Sequence, residues 1–215
     1  MKATAKSNWS WYLLSPLFFR YVHRRIGLRR ALRARLRAGD IYCRWLTEAP
    51  EIGPDNPMND NLIIVLIFFS FYEADDRRMS ESELRTVISE MMNLPPLRLT
   101  RLIDLNRPLM MRLMKRMIYK NVRWLKAHPQ YAAASWDFNF DPSRHRDGIY
   151  FWFTRCPINT FCREHDLLDV LPLCCDIDHL NVERVHGRLV RHHTLATGGD
   201  ICDYWITGDK TRLPQ

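Results

Sequence analysis

The segment SWDFNFDPSRHRDGIYFWFT, Ser135 to Thr154, decides the fold class of this chain. Ser135–Asp141 alternates aromatic and polar residues, and Gly148–Thr154 does so again. Period-two alternation is what a half-buried strand requires. Pro142–Asp147 between them carries turn residues, so the segment predicts an antiparallel hairpin. Everything before Pro129 has a different rhythm.

Working toward the N-terminus, residues 9–47 read as helical, with Gly27 and Gly39 as breaks. Glu48–Asn59 is a proline-rich loop. Asn61–Asp75 reads as a buried helix. Its apolar run, Leu62–Tyr72, has about half of the roughly 20 residues that cross a bilayer. Ser80 opens another helix, because serine at the N-cap with Glu83 three residues later makes a capping box; that helix ends before Pro95-Pro96. A basic helix spans Arg98–His128, kinked or divided by Pro108 near Asn106. Leu99, Leu102, Ile103, Met110, Leu113, Met114, Met117 and Ile118 form its apolar stripe, which reads as core in preference to an adaptable ligand wall.

Working toward the C-terminus, one helix starts at Pro157 and another covers Pro172–His186. Arg188–Leu195 and Ile201–Thr207 read as paired strands around a glycine turn at Ala196–Asp200. The prediction is a single α+β domain over 1–215: an N-terminal helical half, 1–130, followed by a small antiparallel sheet with helices in 131–215.

Composition narrows the function. The chain has 215 residues, 47% hydrophobic and 26% charged, with a net charge of +8. Much of the excess lies between Arg20 and Arg44, where arginine alternates with leucine and alanine. This reads first as the solvated face of an amphipathic helix, second as a peripheral membrane or protein contact, and third as a nucleic-acid surface. No aromatic-plus-basic ribonucleoprotein signature accompanies it, so no nucleic-acid partner is expected. Trp11–Phe19 is apolar but short, contains Pro16 and lacks a small-residue cleavage site. The cysteines are therefore expected to be reduced and the protein cytoplasmic, with an oligomer allowed.

The chemistry concentrates in three cysteine contexts. Cys156 precedes Pro157, so it is the expected N-cap of a helix, where the dipole and Arg155 would lower its pKa; a plain buried cap is the alternative. Cys175 shares a helix face with Asp178 and His179, either of which could take a proton from a thiol. The Gly198-Gly199 turn leads to Cys202-Asp203, whose side chains point to opposite faces of a regular strand. The turn's N–H groups could hold an anion. No metal or other cofactor is expected, since there is no Cys-x-x-Cys pair. A metal held by Cys156, Cys175 and Cys202 is the alternative. Walker, dinucleotide-binding, HExxH and GxSxG motifs are absent.

Arg155-Cys156-Pro157, then Cys175 to Asp178, then Arg191 with Thr194-Leu195, Gly198 or Gly199, and Cys202-Asp203-Tyr204 together resemble the L-2-amino-thiazoline-4-carboxylic acid hydrolase family, over roughly residues 150–206. The resemblance implies a hydrolase that opens a C–N bond of a small cyclic amidine or amide-like substrate, as in conversion of an aminothiazoline carboxylate to N-carbamoyl-cysteine. The catalytic candidates are Cys156, Cys175, Asp178 and Cys202: Cys175, or else Cys156, would attack the ring carbon, Asp178 with His179 would move the proton, and Cys202, the weakest of the four because it and Asp203 diverge, would complete the pocket. Arg155, His179, Arg191, Thr194, Gly198, Gly199 and Asp203 would line the substrate. A metal enzyme and a non-enzymatic ligand- or partner-binding module are the competing readings. Two features depart from the family pattern: Tyr204-Trp205 stands where members often have Phe-Arg, and Cys162 and His165 are additional.

Overall fold

A computed structural model of the chain describes residues 5–93, 98–145 and 147–212. It forms two compact units, Met1–Asn93 and Leu94–Gln215. Together they have the predicted α+β character: a helical N-terminal part and a three-stranded antiparallel sheet with helices.

The first unit is all-helical among its described residues: α1 (Ala5–Ile26), α2 (Leu28–Glu48), α3 (Asn59–Ala74) and α4 (Glu81–Met92). Gly27 breaks α1 from α2 with a φ of 79°, a conformation that glycine adopts at no steric cost. Gly39, expected as a second break, lies inside α2. Tertiary packing overrides its low helix propensity, for it sits against the Trp11 ring. α3 is apolar on all sides because it is the centre of the unit; Leu62, Ile63, Leu66, Ile67, Phe68, Phe69 and Phe71 are all buried. Phe18 of α1 stacks on Phe71 at 4.8 Å.

The capping box is present. Ser80 Oγ accepts from the Glu83 N–H, and the Glu83 carboxylate accepts from the Ser80 N–H at 2.7 Å. Ser80→Ala is expected to cost about 1 kcal/mol, read as a lower denaturant midpoint at unchanged slope. The helix ends at Met92 with Asn93 as its C-cap, before Pro95-Pro96 as expected; the two prolines lie outside the described residues.

The second unit contains α5 (Pro108–Ala127), β1 (Ile149–Phe153), α6 (Pro157–Glu164), α7 (Leu171–Arg184), β2 (Gly187–Val190) and β3 (Cys202–Gly208). The sheet order is β1-β3-β2, all antiparallel, so β3 is central. Proline divides the long basic helix as expected: Leu99–Leu102 is a separate 3-10 turn and Pro108 starts α5. The apolar stripe does not form core. Ile118 is the one buried residue of α5, while Leu99, Leu102, Leu113 and Met117 are exposed. Periodicity makes a helix amphipathic; it does not supply a neighbour to cover it.

The decisive segment is half a hairpin. β1 forms, but Ser135–Asp141 pairs with it at a single bridge, Asn139 to Trp152. The reason is Asp137. Its carboxylate accepts from the Thr154 and Arg155 N–H groups, at 2.9 and 2.7 Å, and from the Thr154 hydroxyl. A side chain thus replaces the ladder at that end. The alternation still works on the apolar side, where Phe138 packs edge-on against Phe153 at 4.7 Å.

The predicted strand Arg188–Leu195 is also shorter than expected, ending at Val190. The N–H groups of His192 and His193 are taken by the Asp203 side chain, at 3.0 and 2.6 Å, and are lost to the ladder. α7 runs Leu171–Arg184, close to the expected Pro172–His186.

Candidate active site

Register places the site. Phe153 pairs with Cys202 and Phe151 with Tyr204, so Cys202 and Tyr204 share one face of β3 while Asp203 and Trp205 take the other. α7 lies on the face of Cys202 and Tyr204, because the Tyr204 hydroxyl donates to Asp178 Oδ2 at 2.9 Å. Cys156 follows β1 directly. Its N-cap position is as expected, with extended φ and ψ and Pro157 opening α6. The strands and two helices therefore bring three thiols together from residues 156, 175 and 202. These thiols are near enough that ionisation of Cys202 would raise the pKa of Cys156 and of Cys175, and ionisation of Cys156 that of Cys175.

The electrostatics reverse one expectation. Burial pushes the Cys156 thiol up, to about 11, and Cys202 adds to the rise. The N–H groups of Asn159 and Ile158 pull the other way. The predicted lowering by the helix N-terminus is real in direction but smaller than the desolvation cost of a thiolate. The thiol closes no cap hydrogen bond of its own. Cys175 is pushed up to about 12, first by burial and then by Asp178. Cys162 and Cys174 are buried and raised for the same first reason.

Thiols whose folded pKa is raised stabilise the fold fully below their unfolded value, near pH 9, and lose that contribution as pH rises through the folded value. Stability is therefore expected to fall from about pH 9 toward pH 12. The thermal midpoint of a Cys156→Ser/Cys175→Ser variant should fall less steeply over that window; parallel curves would contradict the assignment.

Asp178, expected as the base for Cys175, is already engaged. Arg191 Nη2 donates to its Oδ2 at 2.7 Å, alongside Tyr204. Arg191 Nη1 donates to the Cys175 carbonyl at 3.1 Å, and the guanidinium lies 4.1 Å over the Tyr204 ring. The Arg191 side chain is only 6% exposed, against 40% for Asp178. Burial works against the charge of Arg191, and Tyr204 and Asp178 outweigh it, holding its pKa above the usual value. Burial, then Asp178, raises Tyr204 and keeps its phenol protonated. Arg191 Nε is buried without a partner among the described residues. The three side chains lock α7 to β3 beneath the thiols, which is a positioning device.

Cys202, which looked weakest in sequence, has the best-provided sulfur. The Leu195 N–H donates to its Sγ at 3.2 Å, and Thr194 Oγ1 lies at 3.5 Å. Thr194 accepts from the Ala196 N–H through the same oxygen as it caps the 3-10 turn Leu195–Thr197. Three elements aim this turn. Asp203 holds His192 and His193 from the far face of the strand. Asn159, buried on α6, donates from Nδ2 to the Leu195 carbonyl at 3.1 Å. The Gly199 N–H returns to the Thr194 carbonyl at 3.0 Å, after Gly198 at a φ of 86°.

The remaining predicted residues divide clearly. The N–H groups of Gly198 and Gly199 are spent inside the turn, so they do not form the expected anion cradle. The Asp203 carboxylate is buried and bonded to backbone, so it anchors the loop. Arg155 is exposed beside Cys156, with Nε donating to the Ser135 carbonyl at 3.1 Å. His179 is half-buried on α7. Asp137 and Asn159 went unremarked in sequence. Nothing in the composition marks them, because each acts by bonding backbone far away in the chain. Among the described residues, no group of three His, Cys, Asp or Glu side chains is arranged to hold a metal ion. A surface pocket of about 210 Å³ lined by Lys115, Tyr119, Phe140 and Ile149, among others, lies at the opposite end of β1 from Cys156.

Residues 60–206 match the family described as L-2-amino-thiazoline-4-carboxylic acid hydrolase. No curated protein and no solved structure shows significant similarity to the chain.

Proposed function

Because the chain belongs to the L-2-amino-thiazoline-4-carboxylic acid hydrolase family, we propose that it hydrolyses a small cyclic amidine, such as an aminothiazoline carboxylate, with Cys202 as nucleophile. The observation that carries this reading is the pair of groups at the Cys202 sulfur, the Leu195 N–H and the Thr194 hydroxyl. Such groups stabilise charge on sulfur both when it attacks and when it leaves.

Cys202 gives its proton to the amidine nitrogen, and its sulfur adds to the ring carbon. The ring heteroatom leaves with the proton of Cys175, a neutral thiol at working pH because its pKa is pushed up to about 12. Water, losing one proton to the Cys175 thiolate, adds to the same carbon; collapse to the carbonyl expels Cys202, which takes back the second proton of that water. For an aminothiazoline, N-carbamoyl-cysteine keeps both nitrogens on that carbon, so the bond broken in the ring is C–S. A C–N bond breaks only where the expelled ring atom is nitrogen. Arg155, exposed next to Cys156, meets the substrate carboxylate, and Asp178 with Arg191 and Tyr204 positions α7. Thiol chemistry needs reduced cysteines, which fits a cytoplasmic protein.

The test is turnover of L-2-amino-thiazoline-4-carboxylate by chelator-treated protein, followed with a thiol-reactive dye. One new thiol per substrate consumed is expected. Absence of turnover on this compound and on cyclic amidines lacking sulfur would end the proposal; turnover that requires added metal would end the thiol-only chemistry.

A further inference from the structure

We propose that the α1–α2 hairpin lies on an anionic membrane surface. Its inward faces are well used: Leu14, Phe18 and Val22 of α1 and Ala31, Ala34 and Ala38 of α2 are buried. Its outward faces carry Trp9, Tyr12 and Leu13 on α1, and Leu28, Leu32 and Leu36 at every fourth residue of α2. All six are exposed, Trp9 at 68% and Leu36 at 72%. The two sets flank the seam where Arg35 Nη2 donates to Ser15 Oγ at 3.4 Å and the Arg35 guanidinium covers the Phe19 ring. Large amphipathic aromatics and leucines turned away from a core suit the headgroup boundary of a bilayer.

Charge identifies the occupant. From Ala5 to Glu48 the only acidic residues are Asp40 and Glu48. Arg24, Arg25, Arg37 and Arg44 have carboxylate partners. Arg20, Arg29, Arg30 and Arg33 are exposed and have none among the described residues. Unpaired arginines around an apolar strip complement anionic lipid. A second copy of this chain is disfavoured, because a symmetric contact would set like charges against each other. Among the described residues no helix is long and apolar enough to cross a membrane, so the hairpin would lie in the interface plane.

The test is co-sedimentation of the full chain with vesicles of equal parts phosphatidylcholine and phosphatidylglycerol, and with phosphatidylcholine alone. Binding to the anionic vesicles, little to the neutral ones, and weakening with salt are expected. Arg29→Ala with Arg33→Ala should lower partitioning roughly 25-fold, taking about fivefold for each arginine. Trp9→Ser with Leu36→Ser should lower it with circular dichroism unchanged. Equal binding to both vesicle types, no binding, or binding that survives both double variants would overturn the proposal. So would loss on Leu113→Ser/Met117→Ser alone, which would move the surface to α5, or a dimer dissolved by Trp9→Ser.

Discussion

Cys202→Ala is expected to lower kcat for L-2-amino-thiazoline-4-carboxylate by at least about a thousandfold, because loss of a nucleophile removes the covalent route entirely. Cys175→Ala should cost roughly a hundredfold, the scale of a general acid–base group. Cys162→Ala and Cys174→Ala should change kcat little, since among the described residues neither sulfur has hydrogen-bonding groups like those at Cys202. The contrast matters more than any single value. Cys202 has the Leu195 N–H and the Thr194 hydroxyl at its sulfur, whereas Cys175 faces a carboxylate that opposes its ionisation. A Cys202→Ala protein within tenfold of wild type, alongside a dead Cys156→Ala or Cys175→Ala protein, would transfer the nucleophile's role to the other thiol.

Asp203→Ala is expected to destabilise the second unit by about 3–5 kcal/mol, since hydrogen bonds to a charged group contribute about 1.5–3 kcal/mol each. The carboxylate is buried and accepts from the His192 and His193 N–H groups, and alanine would leave both donors orphaned. The thermal midpoint should drop by roughly 10 °C or more. Asp203→Asn, which retains one acceptor oxygen, should recover part of it. If Asp203 bound substrate instead, Asp203→Ala would raise KM with the midpoint unmoved. Calorimetry beside steady-state kinetics separates the two outcomes.

Asp203 also shows where reading the sequence stops. Strand periodicity correctly sets Cys202 and Asp203 on opposite faces, because successive side chains alternate across a strand whatever its surroundings. What Asp203 meets on its own face depends on the path of residues 191–195, which its own hydrogen bonds help to bend. Asp178 follows the same pattern. Helical spacing puts it on the face of Cys175, yet Arg191, thirteen residues away, claims its carboxylate. Cys156 is a helix cap from its proline alone, but the sign of its pKa shift follows from burial, and burial is a property of the whole unit.

The sequence by itself determined the local and periodic features: the α+β order, the capping box at Ser80, the break at Gly27, the division at Pro108, β1, and the family through its cysteine motifs. These rest on short-range sterics, hydrogen bonds within one turn and side-chain alternation. Tertiary structure alone decided which apolar stripe is covered, why strands stop at Val190 and before Thr154, and which thiol is provided with hydrogen-bonding groups. Those outcomes depend on contacts between distant residues, Asp137 with Thr154, Asn159 with Leu195 and Arg191 with Asp178. Their energies arise only once the chain has closed around them.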